Sequence, residues 1–348
     1  MTSDISSDSQ ERETNPDFLH TVTMEDLYDT LYSGKTFIIE ELLCSGTYLF
    51  VGAPKIGKSF FMAQMAYHVS AGVALWERSV TQGAVLYMAL EDDYSRLQQR
   101  MSLMFGMETT GSLHFAVHAR GVANGLEEQL EKQFEKQLEK FLNDYSDTRL
   151  VIIDTLQKVR DAGDDRGGYG SDYEIIAKLK HVADQHNICI LIVHHTRKQG
   201  ADDCFQTISG TTGLMGAADG AFMLHKEKRG NNQAVLDIVG RDQQDQRIYL
   251  EFDRECCLWN ALRSEHENWK MPDEPTLELL SRLVNSECLQ WEGTASALAE
   301  ELEITDIKPN VLTRKLNIHV NHLLQKYKIQ YRTSRSHEGR IIKLDYHP

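Results

Sequence analysis

The chain has 348 residues, a formal net charge of −15, 41% hydrophobic residues and 26% charged residues. This composition is close to the globular average and excludes collagen-like, low-complexity and wholly disordered chains. The length exceeds what a single hydrophobic core normally supports, so we expect two domains. Apolar runs are much shorter than the ~20 residues that span a bilayer, and the first residues do not resemble a secretory signal. We therefore expect a cytoplasmic protein that does not bind membranes.

Residues 1–18 are polar and predict a disordered tail. Residues 19–262 predict an α/β domain, because short apolar runs alternate there with helical or loop stretches. The runs cover residues 48–52, 84–90, 113–117, 150–153 and 188–193. Such alternation is typical of a mostly parallel sheet flanked by helices. Three closely spaced runs after residue 220 predict antiparallel strands that close the sheet.

Residues 263–275 are polar and predict a linker to a small C-terminal α+β domain, residues 276–348. Helical stretches at 276–284, 295–303 and 310–327 precede two β-like runs at 329–333 and 340–346. Three helices followed by a hairpin is the order of a winged helix. Residues 308–343 hold nine basic residues and one acidic residue, whereas the whole chain is acidic. This asymmetry predicts a basic contact surface on the C-terminal domain.

The strongest motif is GAPKIGKS at residues 52–59, a match to GxxxxGK[ST] between a predicted strand and a predicted helix. In such a loop the backbone N–H groups face phosphate oxygens, the lysine contacts the β- and γ-phosphates, and the hydroxyl binds Mg²⁺. Lys58 and Ser59 hold the lysine and hydroxyl positions. The sequence therefore predicts an ATP site that requires Mg²⁺. The predicted nucleotide-binding residues are Gly52, Ala53, Pro54, Lys55, Ile56, Gly57, Lys58, Ser59 and Phe60.

Two acidic residues at strand ends are candidates for metal binding and for water activation. Asp154 ends the run LVIID and resembles the Walker B acid that completes a Mg²⁺ site with Ser59; a helix cap is the alternative. Glu91 follows the run at residues 84–90 and opens the acidic pair Glu91-Asp92. At the carboxyl edge of a parallel sheet, Glu91 would lie beside the phosphates and orient the attacking water. Capping is the alternative for this pair as well.

The order of the motifs resembles one family of ATPases. After the phosphate loop come a strand followed by EDD, a strand ending in Asp154, a strand followed by HHTRK, and then ISGTTGLMGAADG and GRD. This order resembles the RepA-like branch of the RecA-fold ATPases, whose type member is a hexameric replicative helicase of a plasmid. The resemblance covers residues 36–253, and the run SGTTGLMGAADGAFML is its most specific part. It implies a RecA-like P-loop NTPase core that assembles as a homo-oligomeric, hexameric ring on DNA.

The resemblance also implies roles for residues outside the phosphate loop. His194 matches the position that senses the γ-phosphate, with His195 assisting; a structural or metal-ligand role is the alternative for this pair. Arg241 in GRD matches a basic finger that enters the neighbouring subunit's site, and Arg229 and Arg247 are its rivals. The candidate catalytic residues are therefore Glu91, Lys58, His194 and Arg241.

Two regions are candidates for DNA contact. Residues 161–171 and 197–209 match the loops that touch single-stranded DNA in the channel of RecA-fold rings. The first loop holds three acidic residues and one arginine, and a flexible surface loop is the alternative for both. Residues 308–328 would form a recognition helix on duplex DNA, with protein docking as the alternative. Its candidate contacts are Arg314, Lys315, Asn317, His319 and Lys326, with Arg332, Arg335 and Arg340 near the hairpin.

These features predict a Mg²⁺-dependent ATPase that acts on DNA as a replicative helicase of a plasmid or other mobile element. The alternative is an ATP-gated DNA-binding regulator or adaptor that assembles on DNA without unwinding it. The acidic body and the acidic first loop favour the alternative, because a translocating motor should line its channel with positive charge. A small-molecule phosphotransferase would need an arginine-rich lid, which the sequence does not suggest.

Overall fold

The computed structural model describes residues 21–32, 34–118, 127–155, 170–196, 212–226, 232–241, 244–266, 274–336 and 339–347. The chain divides into two compact units, a larger one of Lys35–Trp269 and a smaller one of Met1–Gly34 with Lys270–Pro348. The sequence predicts residues 19–34 in the nucleotide-binding domain, whereas the structure groups them with the C-terminal residues. The physical reason is helix α1 (Met24–Asp29), whose Asp29 forms an ion pair with Arg314 at 2.7 Å.

The larger unit alternates strands and helices as the sequence predicts. Its elements are β1 (Phe37–Ile39), β2 (Leu43–Cys44), β3 (Gly46–Gly52), α2 (Lys58–Ala71), β4 (Val85–Ala89), α3 (Tyr94–Phe105), β5 (Leu113–Ala116), α4 (Glu127–Asp144), β6 (Leu150–Asp154), α5 (Gly170–His186), β7 (Cys189–His195), α6 (Thr212–Ala217), β8 (Gly220–His225), β9 (Gln233–Gly240), β10 (Gln246–Phe252) and β11 (Trp259–His266). Within the described ranges, none of the helices of the chain combines the length and apolar character needed to cross a bilayer.

The main sheet has the strand order β11-β10-β9-β8-β3-β7-β6-β4-β5. Strands β3 to β8 run parallel to their neighbours in this sheet, and β9, β10 and β11 continue it antiparallel. The predicted mostly parallel sheet with antiparallel closing strands is confirmed. Strand β3 lies between β7 and β8, so the phosphate loop leaves the middle of the sheet.

Side chains alternate between two buried faces of this sheet, and helices cover both. The face covered by α2, here called the α2 face, buries among others Phe50, Tyr87, Ile152 and Leu191 with Phe61 of α2. The opposite face buries Leu49, Leu86, Val151 and Ile192 with Ile176 and Leu179 of α5. Because successive strand residues point to opposite faces, the position of a residue at a strand end decides which helix layer its side chain meets.

The smaller unit joins α1 to the C-terminal elements around its own apolar core, which includes Leu277, Leu298, Leu312 and Ile342. Its other elements are α7 (Pro275–Leu283), β12 (Gln290–Thr294), α8 (Ala295–Glu301), α9 (Pro309–Ile318), α10 (Val320–Tyr327), β13 (Ile329–Ser336) and β14 (Gly339–Tyr346). The three strands pair antiparallel in the order β12-β14-β13.

Two details of the smaller unit differ from the sequence prediction. The helix expected over residues 310–327 is broken at His319, which caps both α9 and α10 with non-helical backbone angles. Strand β12 was not expected, because its five residues QWEGT carry little apolar signal and none of them is fully buried. The resulting order is helix, strand, two helical stretches and a hairpin.

Candidate nucleotide-binding site

The phosphate loop connects β3 to α2 through a backbone path that two glycines make possible. Gly57 caps α2 in the left-handed region with φ of +107°, and a Cβ there would lie 3.0 Å from Trp259 Cζ2. A Cβ at Gly52 would lie 2.6 Å from the carbonyl oxygen of Leu224. The loop therefore has the tight curvature that turns backbone N–H groups towards an anion at the N-terminus of α2.

Lys58 is a buried cation inside this loop. Its side chain is 6% exposed, and its Nζ donates to the carbonyl oxygens of Gly52 at 2.7 Å and Ala53 at 3.1 Å. Burial lowers the pKa of Lys58 to about 8, although the charges of Asp154 and Glu91 act in the opposite direction. A bound polyphosphate would stabilise this ammonium, because a buried charge requires an opposite charge nearby.

The two predicted metal ligands meet at the end of β6. Asp154 is 5% exposed and accepts hydrogen bonds from the hydroxyls of Ser59 and of Tyr87, the latter at 3.0 Å. Burial raises the pKa of Asp154, and the hydrogen bonds from Ser59 and Tyr87 act to lower it.

These groups fit Mg²⁺, which prefers oxygen ligands and keeps several waters and substrate phosphate oxygens in its shell. Such a site needs only one or two protein ligands. This matches the described residues, which hold no cluster of three or more metal-ligating side chains.

The acidic triplet after β4 divides its work among three positions. Asp92 binds Arg96 at 3.2 Å and Arg100 at 2.6 Å, and Asp93 caps α3 by accepting from its backbone. Glu91 is exposed, and its carboxylate accepts from the hydroxyl of Thr155 at 3.1 Å. The capping alternative therefore applies to Asp93, while Glu91 lies beside the residue that follows Asp154.

The two histidines at the end of β7 lie on opposite faces of the sheet. His195 is on the α2 face, where its Nδ1 lies 3.2 Å from Lys58 Nζ. Burial and the Lys58 charge lower the pKa of His195, which favours the neutral imidazole. His194 is 5% exposed and pairs in register with Val51, on the opposite face. The structure therefore brings His195 to the phosphate loop, and the sequence prediction that His194 contacts the nucleotide differs from it by one strand position.

Arg241 lies away from the phosphate loop of its own chain. It follows Gly240, which pairs with Gly220 at the start of β8, whereas the loop begins opposite Leu224 near the other end of that strand. The four residues between Gly220 and Leu224 correspond to about 13 Å. Arg241 is exposed, and its guanidinium donates to the carbonyl oxygen of Gly216.

The rival Arg247 is engaged in a side-chain network on β9 and β10. Its Nε lies 2.6 Å from an oxygen of Asp237, which also accepts from His225 at 2.8 Å. Burial raises the pKa of Asp237, but these hydrogen bonds outweigh it and lower the pKa to about 2. Arg247 therefore has a structural role. Arg229 and the two predicted DNA loops, residues 161–169 and 197–209, lie outside the described residues.

The geometry can now be compared with known proteins. A family model named AAA_25 and described as an AAA domain matches residues 17–201, more than half of the chain. The chain belongs to the AAA_25 family. Among solved structures, the ATPase domain of another protein matches with a TM-score of 0.51 and 15% sequence identity, covering 63% of this chain and 85% of that chain. This likeness confirms the RecA-like fold of the core. No curated protein matches the sequence.

Two features of this AAA_25 site could not be found from its motifs. Trp259 opens the edge strand β11, is 1% exposed, and its indole N–H donates to the carbonyl oxygen of Gly57 at 3.3 Å. The side chain of Gln64 on α2 bonds both the backbone N–H and the carbonyl of Trp259, at 2.8 and 2.9 Å. Tyr87, which donates to Asp154, lies inside a buried strand with an ordinary apolar pattern. Trp259 and Gln64 thus hold the phosphate loop from the far edge of the sheet.

Trp259→Phe should weaken ATP binding about fivefold, because it removes one hydrogen bond to the loop, worth about 1 kcal/mol, and keeps an aromatic ring. The measurement is the Kd for ATP by calorimetry. Trp291→Phe in the smaller unit is the matched control and should leave the Kd unchanged. Equal affinities for wild type and Trp259→Phe would show that this contact does not position the loop.

Proposed function

We propose that the protein hydrolyses ATP in a Mg²⁺-dependent reaction and uses the reaction to act on DNA as a ring-shaped replicative helicase of a plasmid or other mobile element. The observation that carries the proposal is the convergence of Lys58, Asp154, Glu91 and His195 around the phosphate loop of an AAA_25 chain. These side chains leave three different strands and the loop. They meet at the carboxyl edge of the sheet, where α/β folds bind their ligands.

The loop residues would bind the triphosphate of ATP. Backbone N–H groups at the N-terminus of α2 and the Lys58 ammonium supply positive charge to the phosphates. Ser59 and Asp154 would hold Mg²⁺, which when bound offsets the negative charge of the phosphate oxygens. The hydroxyl of Tyr87 keeps the Asp154 carboxylate oriented at 3.0 Å.

Glu91 is the candidate that orients the attacking water. Its carboxylate is exposed, so water can reach it, and the Thr155 hydroxyl holds one oxygen in place at 3.1 Å. His195 is the better candidate for the γ-phosphate sensor, since its ring already contacts Lys58. Loss of the γ-phosphate would change the partner of the Lys58 ammonium, and His195 would transmit that change to the chain that follows β7.

Arg241 supports a homo-oligomer. Its distance from the phosphate loop of its own chain means that it can serve catalysis only in a neighbouring subunit. An exposed guanidinium held by the Gly216 carbonyl, without an ion pair among the described residues, is available for such a role. A closed ring satisfies every site of this kind with one interface, and we propose a hexamer.

We further propose that the smaller unit is a winged-helix module that contacts duplex DNA, while single-stranded DNA occupies the channel of the ring. The order of α7, β12, α8, α9 and α10, β13 and β14 supports the first part. The second candidate function is an ATP-gated regulator that assembles on DNA without unwinding it. The ion pair of Arg314 with Asp29 favours this alternative, because it reduces the charge that the module offers to DNA.

Glu91→Gln should slow ATP hydrolysis by about 10²- to 10³-fold and leave the Kd for ATP nearly unchanged, because the amide cannot accept a proton from water. The matched control is Asp93→Asn, which alters the cap of α3 next to the same site. We expect this control to lower stability slightly and to keep most of the hydrolysis rate. A rate unaffected by Glu91→Gln would remove Glu91 from the mechanism.

Substitution of the two adjacent histidines should separate the faces of β7. His195→Ala should lower the hydrolysis rate about tenfold with an unchanged Tm, because its side chain contacts Lys58 and is only partly buried. His194→Ala should lower the Tm, because it empties a buried position, and should keep the rate of the folded enzyme. Rates and thermal unfolding would be measured on both variants. The opposite pattern would return the sensor role to His194.

The proposed function as a whole is tested by measuring the ATPase rate of wild type and Lys58→Ala with and without single-stranded DNA, and the mass of the particle with a non-hydrolysable ATP analogue. We expect hydrolysis that DNA stimulates, loss of activity in Lys58→Ala, and a particle of about six subunits. Assembly without DNA stimulation would favour the regulator. Wild-type activity no higher than that of Lys58→Ala would refute the ATPase.

A further inference from the structure

Helix α1 lies against the residues of the smaller unit that were predicted to contact DNA. Arg314 on α9 donates from Nε to Asp29 at 2.7 Å and from a terminal nitrogen to Glu25 at 2.9 Å. Asn317 donates its amide to the carbonyl oxygen of Tyr28 at 2.9 Å, and Arg340 on β14 donates to that of Asp29 at 2.9 Å. Three donors from α9 and the hairpin therefore converge on this acidic helix.

The contacts that hold α1 are mainly polar. None of its residues is buried, and its apolar side chains Met24 and Leu27 are 67% and 46% exposed. The segment is anchored further along the chain, where Leu31 packs against the core of the unit and Gly34 lies against the side chain of Asn321. Residues 24–29 can therefore leave the surface while residues 31–34 keep the segment attached.

The donors under α1 are positioned in advance of any ligand. The hydroxyl of Tyr331 donates to the Asn317 side-chain oxygen at 3.0 Å, which directs the Asn317 amide nitrogen towards α1. Carboxylates and backbone carbonyls of α1 occupy these donors as phosphate oxygens would, since guanidinium and amide groups bind both kinds of oxygen.

The neighbouring basic residues have acidic partners outside α1. Lys315 pairs with Glu274 at 2.8 Å, and Arg332 pairs with Asp345. Departure of α1 would leave these pairs intact. It would expose a restricted surface, defined here as the α1 surface and formed by Arg314, Asn317 and Arg340.

We propose that α1 is an intramolecular competitor of DNA, and that the backbone phosphates of duplex DNA replace its carboxylates on the α1 surface. The inference rests on the proposed action on DNA and names the surface and its regulation. Because a ligand binds only the fraction of molecules in which α1 is displaced, the docked helix weakens the apparent affinity by that fraction. Both the release of α1 and phosphate binding depend on salt, since both replace charged contacts.

The test compares the affinity of full-length variants for a fluorescent duplex of about 20 base pairs by anisotropy at about 0.1 M salt. Glu25→Gln with Asp29→Asn removes the carboxylates that pair with Arg314. We expect this double variant to bind the duplex about tenfold more tightly than wild type. Glu300→Gln with Glu301→Gln is the matched control, because it makes the same charge change at exposed positions of α8. It should leave the affinity nearly unchanged.

A third variant adds Arg314→Ala to Glu25→Gln and Asp29→Asn, and it should lose the gain in affinity. The inference is overturned if the double variant binds like wild type, if the control gains as much, or if the gain survives Arg314→Ala. Tighter binding of poly-glutamate without tighter binding of the duplex would also overturn it. ATPase stimulation by single-stranded DNA, measured on the same variants, reports separately on the proposed function.

Discussion

The chemistry of the site depends on the register of the parallel strands. Gly52 pairs with His195 and Ala89 pairs with Asp154, and all four lie on the α2 face. Since a strand alternates its side chains with a period of two, a shift of one residue in any strand would remove its functional group from the site. The buried rows beneath, such as Phe50 and Leu191 on the same face, set this register by hydrophobic packing. The core that stabilises the fold therefore also selects the catalytic side chains.

Burial has opposite effects on the two central charges of the site. It lowers the pKa of Lys58 to about 8 and raises the pKa of Asp154, so both groups are held where their charged forms are disfavoured. Their mutual attraction and the hydroxyls of Ser59 and Tyr87 compensate in part. A polyphosphate beside the ammonium and a divalent cation beside the carboxylate would relieve both. The site therefore favours binding of the two ligands together, which agrees with a nucleotide that enters as its Mg²⁺ complex.

Local patterns were sufficient to predict the parallel sheet, the phosphate loop and the acidic strand ends, because each depends on a few neighbouring residues. The choice between His194 and His195 depends on strand phase, which a resemblance in motif order does not determine. Trp259 and Gln64 act on the loop from 195 residues apart, and the sequence around each resembles ordinary core. The pairing of Arg314 with Asp29 spans 285 residues, so composition could predict a basic region and could not predict its acidic partner.

That partner changes the meaning of the charge asymmetry in the sequence. A basic C-terminal region in an acidic chain suggests a surface that is open to nucleic acid, but the fold brings acidic residues from the beginning of the chain onto it. Exposed ion pairs of this kind are worth little individually, which makes them easy to exchange for phosphate. The affinity of the smaller unit for DNA is then set by a difference between two similar sets of contacts. Such a balance is easily shifted by salt or by charge substitutions in α1, without any change in the ATP site.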